Sequence, residues 1–414
     1  MTSFPIDQVR AQFPALARTD GGAPRIYFDA PGGTQACRPA IAAMTRHLEE
    51  GSANSGGAFA TSVETDALSQ AAHEAAADLL GAEAGDIAFG PNMTTLTLSV
   101  SRALARTWQP GDEVVVTRLD HDANVASWLL AARDSGAIVK WIDIDPEAGT
   151  LRLDQLPSLL SPRTRLVAVG GASNALGTLN DVAAVVAAVK AHSDALVYVD
   201  AVQSVPHVPT DVRALGCDFL ACSPYKFFGP HQGVLWASPE VAASLEAYKV
   251  RPATIDPPAH RFETGTQSFE GQAGIIGTID YLEWLGRLIA PEAPNSRRAA
   301  LVAAMQGCTV YEREIGERLL AGFRAIPGLR LYGPPTMEGR VPTFGFTLEG
   351  HHPDAVAAHL AARNIFAWSG SFYAVEPVER LGLADKGGLV RVGLCHYSTA
   401  EEVDALLGAL ADLR

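Results

Sequence analysis

The chain has 414 residues, 48% of them hydrophobic and 19% charged, which is length enough for two domains and apolar material enough for a large core. Thirty-two basic against 46 acidic residues leave a net charge of -14, which disfavours non-specific binding to nucleic acid or to an anionic membrane. No apolar run is long enough to span a bilayer, and Met1 to Asp7 has neither the basic nor the apolar part of a signal peptide, so the cytoplasm is the expected compartment.

Taken in order, the chain alternates helices with short apolar strands. Ile87-Ala88-Phe89 runs into Gly90-Pro91-Asn92-Met93-Thr94-Thr95 and then an apolar helix. Free backbone amides at that helix start, with the hydroxyls of Thr94 and Thr95, make an anion site. Ordinary N-capping is the alternative for the two threonines. Strands are predicted over Val114–Thr117, Ile138–Ile142, Leu166–Val169, Leu196–Val199 and Phe219–Ala221, separated by alanine-rich helical stretches such as Asp181–Ala191. That order predicts a doubly covered, mainly parallel sheet.

Two strand ends carry chemistry. Ala195-Leu196-Val197-Tyr198-Val199-Asp200 delivers a carboxylate to the sheet's carboxyl edge. Such a carboxylate either caps the next turn or keeps a cofactor's pyridine nitrogen protonated, with Gln203 placed to donate to the ring's phenolic oxygen. Phe219-Leu220-Ala221-Cys222-Ser223-Pro224-Tyr225-Lys226 sets one lysine after an apolar run, beside a serine. A lysine desolvated there has a lowered pKa and suits a Schiff base, while Ser223 suits a phosphate; pyridoxal phosphate (PLP) needs both. A solvent-exposed strand-end lysine is the competing reading.

Pro252–Pro258 is the most loop-like stretch, and from about Pro291 the spacing changes. A helix through Glu312, Arg313 and Leu319, strands at Leu329–Tyr332 and Pro342–Leu348, and a last helix from Thr399 predict a smaller α+β domain. Arg391 follows Leu389-Val390, and a guanidinium fork at a strand end suits bidentate capture of an α-carboxylate or a structural ion pair. The five cysteines (37, 217, 222, 308 and 395) have no paired spacing and no histidines at zinc-ligand intervals, and His351 and His352 are adjacent where a metal pair wants i, i+4. They read as reduced, mostly buried thiols, and no metal site is expected.

These segments together resemble the class V aminotransferases, and within them the cysteine desulfurase-like enzymes of PLP fold type I. Tyr27-Phe28-Asp29-Ala30-Pro31-Gly32-Gly33 resembles the family's opening strand and glycine turn, Asp120-His121-Asp122-Ala123-Asn124 its stacking-histidine segment, Val199-Asp200-Ala201-Val202-Gln203 its Asp-x-x-Gln motif, and Arg391 to Thr399 its closing motif. The ordered set spans most of the chain.

The resemblance implies an α/β fold with a mainly parallel seven-stranded sheet in a large PLP-binding domain (26–290), a small α+β C-terminal domain (291–414) and an N-terminal segment (1–25) packing with the small domain. It implies Lys226 as the cofactor lysine, His121 stacked on the cofactor ring, Thr94, Thr95 and Ser223 at the phosphate, and Asn174 at the phenolic oxygen or the substrate carboxylate. A turn asparagine is the alternative for Asn174. Thr266, in Glu263-Thr264-Gly265-Thr266-Gln267, would reach the phosphate of a neighbouring subunit, which implies a homodimer. Lys226, Asp200 and His121 are thus the expected catalytic residues, Arg391 and Asn174 the expected substrate contacts, and an amino acid the expected substrate.

Two departures bear on the reaction. Desulfurases of this family carry a nucleophilic cysteine on a small-domain loop, where this chain reads Ile365-Phe366-Ala367-Trp368-Ser369-Gly370-Ser371-Phe372-Tyr373-Ala374, and Tyr225 stands where sulfur-mobilising relatives often have histidine. A serine hydroxyl cannot replace a thiolate in persulfide formation. The expectation is therefore an enzyme that works at Cα through an external aldimine and a quinonoid, as a β-lyase or epimerase. A class V aminotransferase, a desulfurase with a displaced cysteine and a non-catalytic PLP-fold protein are the alternatives.

Overall fold

The computed structural model describes residues 4–251, 253–292 and 295–413; Pro252 of the loop-like stretch lies outside them. Seven strands form the central sheet: β1 Ile87–Gly90, β2 Glu113–Thr117, β3 Ile138–Ile142, β4 Thr164–Gly170, β5 Leu196–Asp200, β6 Phe219–Cys222 and β7 Gly233–Ala237. Their spatial order is β1-β7-β6-β5-β4-β2-β3. All pairings are parallel except the two made by β7, which runs antiparallel to β6 and β1. Most strands are buried almost throughout, as Val/Ile/Leu-rich runs covered on both faces must be. Sequence reading named five of the seven; Ile87–Phe89 was read only as the run before a helix start, and β7, which returns the chain from the cofactor-lysine turn to the sheet beside β1, was not distinguished from the loop around it.

The register lines up the strand ends. Asp200 is level with Gly170 and Ala221, Cys222 with Val234, and Gly233 with Gly90. The loops that follow Gly90, Thr117, Gly170, Asp200 and Cys222 therefore open at one edge, as ligand sites of parallel sheets do. Gly233 has to be glycine there: a Cβ on it would lie 2.5 Å from the Asn92 backbone at the start of helix α1 (Met93–Ala105).

The C-terminal part holds a second sheet, β8 Leu329–Tyr332, β9 Thr343–Leu348, β10 Trp368–Gly370 and β11 Leu389–Gly393, in the order β8-β9-β11-β10. A 29-residue helix, Arg297–Ala325, and a last helix, Ala400–Ala411, supply Leu319, Leu320, Phe323, Val403, Leu406 and Leu410 to its core. Thr399 and Glu402 form a capping box at the start of the last helix. The first residues tie both parts together. Phe4 stacks on Tyr311 at 4.3 Å, Arg10 pairs with Glu402 at 2.9 Å, and Phe13 packs among Phe228, Tyr281 and Tyr397. Among the described residues no helix is long and apolar enough to cross a membrane.

Candidate active site

Lys226 ends the turn after β6 and is buried, so the exposed-lysine reading does not hold. Its ammonium donates to the Pro31 carbonyl, to which the Gln203 amide also donates at 2.9 Å. Burial pulls the Lys226 pKa down to about 7, helped by the Arg391 charge and opposed by Asp200 and Asp29. Its nitrogen lies 4.8 Å from the Tyr225 ring centroid, and that ring stacks on His231. Asp200 is buried at the tip of β5. It does cap the next turn, one oxygen accepting from Val202 N at 3.0 Å. Burial raises its pKa to about 6 against that bond and the nearby Lys226.

His121 stands on the turn after β2. Its Nδ1 accepts from Ala123 N at 3.0 Å, and burial, then the charges of Lys226 and Arg391, press its pKa down to about 4, so the ring is neutral near pH 7. Sequence reading missed what holds this turn. The buried Asp120 accepts from Thr117 Oγ1 at 2.8 Å and from Asn124 Nδ2 at 2.7 Å, and Asn124 in turn accepts from Trp128. Thr94 and Thr95 lie exposed in the first turn of α1, where the N-cap is Asn92, which accepts from Thr95 N at 2.8 Å. N-capping is therefore not the threonines' task, and their hydroxyls remain at the helix start. Ser223 is buried at the end of β6.

Arg391, on β11, is buried and forms no ion pair within 4 Å among the described residues. One guanidinium nitrogen donates to the Asn174 carbonyl at 2.9 Å, its Nε has no partner, and its carbon lies 4.2 Å from the Phe372 ring centroid. Asn174 is more than a turn residue: its amide nitrogen donates to the Phe372 carbonyl at 2.7 Å, and its Oδ1 is buried without a partner. Asp29 was quoted in a motif but given no role. It is half-buried, with one buried oxygen unpartnered, and desolvation raises its pKa to about 6 against the pull of Arg391 and Lys226.

The segment that departs from the desulfurase pattern lies across this cluster. Tyr373 O accepts from Asp122 N at 2.7 Å, and the Tyr373 and His121 rings are 5.6 Å apart. Further along, Glu376 pairs with Arg118 and Arg380 with Asp143, so the segment straps the small domain to the loops after β2 and β3. Phe372 and Tyr373 both have left-handed backbone, φ 58° and 57°, which costs non-glycine residues about 1–3 kcal/mol each and persists only where surroundings enforce it. Ser369 Oγ is turned away to Asp354 at 2.7 Å. All five cysteines are buried, and burial drives each thiol pKa upward, Cys37 to about 11, Cys217 to about 12. Thr266 is apart from this cluster: exposed, it lines a separate cavity with His73, His260 and Glu263.

A buried amine, a buried carboxylate, a neutral imidazole, an anion-binding helix start and a guanidinium with free donors thus meet at one sheet edge, the donor set that PLP and an amino acid require. The sequence matches the family Aminotransferase class-V over residues 26–406. It is 33% identical to an aminotransferase-like protein of Gibberella zeae, over 99% of this chain and 98% of that protein. It is 31% identical to a cysteine desulfurase of Klebsiella pneumoniae, over 100% and 99%. The structure superimposes on an apo cysteine desulfurase from Thermococcus onnurineus with a TM-score of 0.88 and 26% identity, covering 100% of this chain and 98% of that one.

Proposed function

Because the chain belongs to the class V aminotransferase family and is a pyridoxal phosphate-dependent enzyme of fold type I, we propose that it acts at the α-carbon of an amino acid and ends in β-elimination or in return of the proton to Cα, not in a protein persulfide. The observation that carries this is the strap: Phe372 and Tyr373 stand over Arg391 and His121, and no thiol lies on residues 365–374.

Bound there, the cofactor supplies an electron sink for a carbanion at Cα. Lys226 would hold its carbonyl carbon, Thr94, Thr95 and Ser223 its phosphate, and Asp200 its ring nitrogen. Arg391 and Asn174 would orient the substrate carboxylate. With a pKa near 7, the amine of Lys226 is partly unprotonated at neutral pH and can move the Cα proton. The neutral ring of His121 adds no positive charge on that face. A homodimer is part of the same proposal, supported by the exposure of Thr266 away from Lys226.

The test is a product assay with cysteine, cysteine sulfoxides, and alanine with a keto acid, run in deuterium oxide. Pyruvate release or deuterium at Cα without amine transfer is expected. Amine transfer as the main outcome would make the enzyme an aminotransferase, and sulfide formation through a protein persulfide would return it to the desulfurases.

A further inference from the structure

His73 comes from the helix Ala60–Leu80, and His260 and Glu263 from the turn Pro258–Phe262 and the residue after it, two places in the chain that no motif joins. Their side-chain ligand atoms all lie within 4.8 Å of one another. His73 is 3% exposed, and the two imidazole centroids are 4.6 Å apart.

His73 Nδ1 is 2.7 Å from the Ser69 carbonyl, which accepts only, so Nδ1 carries a proton. Nε2 faces Glu263 Oε1 at 2.9 Å, a contact that takes one proton, held by the ring or by the carboxyl. That oxygen also accepts from Phe89 N at 2.8 Å. His260 Nε2 is buried beside them without a hydrogen-bond partner. A histidine whose Nδ1–H is fixed by a carbonyl is oriented to present Nε2 to a metal, and a divalent ion can take the place of the proton between Nε2 and the carboxylate.

We propose that His73 Nε2, His260 Nε2 and the Glu263 carboxylate bind one divalent transition-metal ion, zinc being the ion this two-histidine, one-carboxylate set suits best. Bonds of about 2.0–2.1 Å place tetrahedral ligand atoms roughly 3.3 Å apart, so the group, now within 4.8 Å, needs to close by up to about 1.5 Å at its widest. The fourth position faces a cavity of about 430 Å³ that Asp66, Ser69 and Thr266 also line. Lys249, the nearby cation, donates to the carbonyls of Thr254 and His260 and makes no ion pair with Glu263. The ion would be structural: it fixes Glu263 against β1 through Phe89 and so steadies the base of the Thr264–Gln267 segment.

The holoenzyme is stripped with a chelator, dialysed, and titrated with cobalt(II), reading the visible d–d bands, then with zinc in competition. One cobalt per chain with the intense bands of a four-coordinate site is expected, displaced by zinc with a rise in Tm. Glu263→Gln should fold normally, because its side-chain oxygen can keep the Phe89 bond, yet bind cobalt more weakly by on the order of 100-fold or more, beyond the loss of an outer partner. His260→Ala should behave likewise. No cobalt bands and no zinc effect in the wild type would overturn the proposal and leave a proton shared between His73 and Glu263. Undiminished binding in both variants would overturn it too, placing the metal elsewhere.

Discussion

The side-chain amide of Asn174 donates to the Phe372 carbonyl at 2.7 Å, while the backbone carbonyl of the same asparagine accepts from Arg391 at 2.9 Å. One residue thus ties the guanidinium to the strap, and the Phe372 ring covers that guanidinium from the other side. Strap and guanidinium form one unit, so what the strap does is felt at the carboxylate position.

Arg391→Ala is expected to raise KM for an amino acid by roughly 30- to 150-fold, the value of a charge-assisted bond worth about 2–3 kcal/mol. The matching amine, which lacks the carboxylate, should lose little. Steady-state kinetics on such a pair checks it. Equal losses on both would take Arg391 out of carboxylate binding.

Asn174→Ala removes the tether that helps hold Phe372 and Tyr373 in their left-handed conformations. One neutral hydrogen bond is worth about 1 kcal/mol, so backbone amides of 372–374 should exchange about fivefold faster with Tm nearly unchanged. Hydrogen exchange by mass spectrometry measures this. Unchanged exchange there would mean that the Arg118–Glu376 and Arg380–Asp143 pairs hold the strap without Asn174.

Much of this site was readable in sequence because its parts sit at strand ends. Asp200 and Lys226 each follow an apolar run, and a buried parallel strand leaves few other places for the next polar side chain. Thr94 and Thr95 were found through the helix start they open. What stayed hidden depends on three-dimensional neighbours. The anchoring of His121 by Asp120 through Thr117 and Asn124, and the placing of Asp29 near Arg391, carry no periodic signal. β7 was missed because an antiparallel return strand after a glycine-rich turn reads like loop. His260 and Glu263 lie on one turn, but His73 joins them from a helix 190 residues before Glu263, so no short spacing rule finds all three.

Capture of the cofactor by cofactor-free protein should follow the titration of Lys226, since only the free amine attacks an aldehyde. With its pKa near 7, the capture rate should fall about tenfold per pH unit below that point and level off above it. An unperturbed lysine would keep gaining up to about pH 10.4. Arg391→Met removes a charge that lowers this pKa and should move the midpoint up; Asp29→Asn removes one that raises it and should move the midpoint down. Stopped-flow absorbance across pH reads all three. Identical midpoints would show that burial alone sets the value.

Asp200→Ala should still hold the cofactor, because Lys226 and the phosphate contacts remain, but should lose turnover by about 100-fold or more as the ring nitrogen loses its anionic partner. Cofactor absorbance together with kcat makes the check. Wild-type rates in this variant would remove Asp200 from the role.

Sulfur chemistry gives the last prediction. A persulfide needs a thiolate within reach of the substrate, and each cysteine here is buried with its pKa pushed up by that burial. Cys37 and Cys217, the least perturbed, at about 11 and about 12, still hold under about 0.1% thiolate at pH 7 by the tenfold-per-unit rule. Cys395 follows the Arg391 strand, but it is fully buried beside Tyr397. Incubation with cysteine followed by a thiol-specific alkylating reagent and peptide mass spectrometry should therefore find no persulfide on any of the five at catalytic rates. The aromatic strap predicts the complement: with Phe372 and Tyr373 over the site, amino acids with side chains larger than that of cysteine should show the higher kcat/KM. A persulfide on Cys395 or Cys222 forming as fast as turnover would overturn the reading and make this chain a desulfurase with a displaced nucleophile.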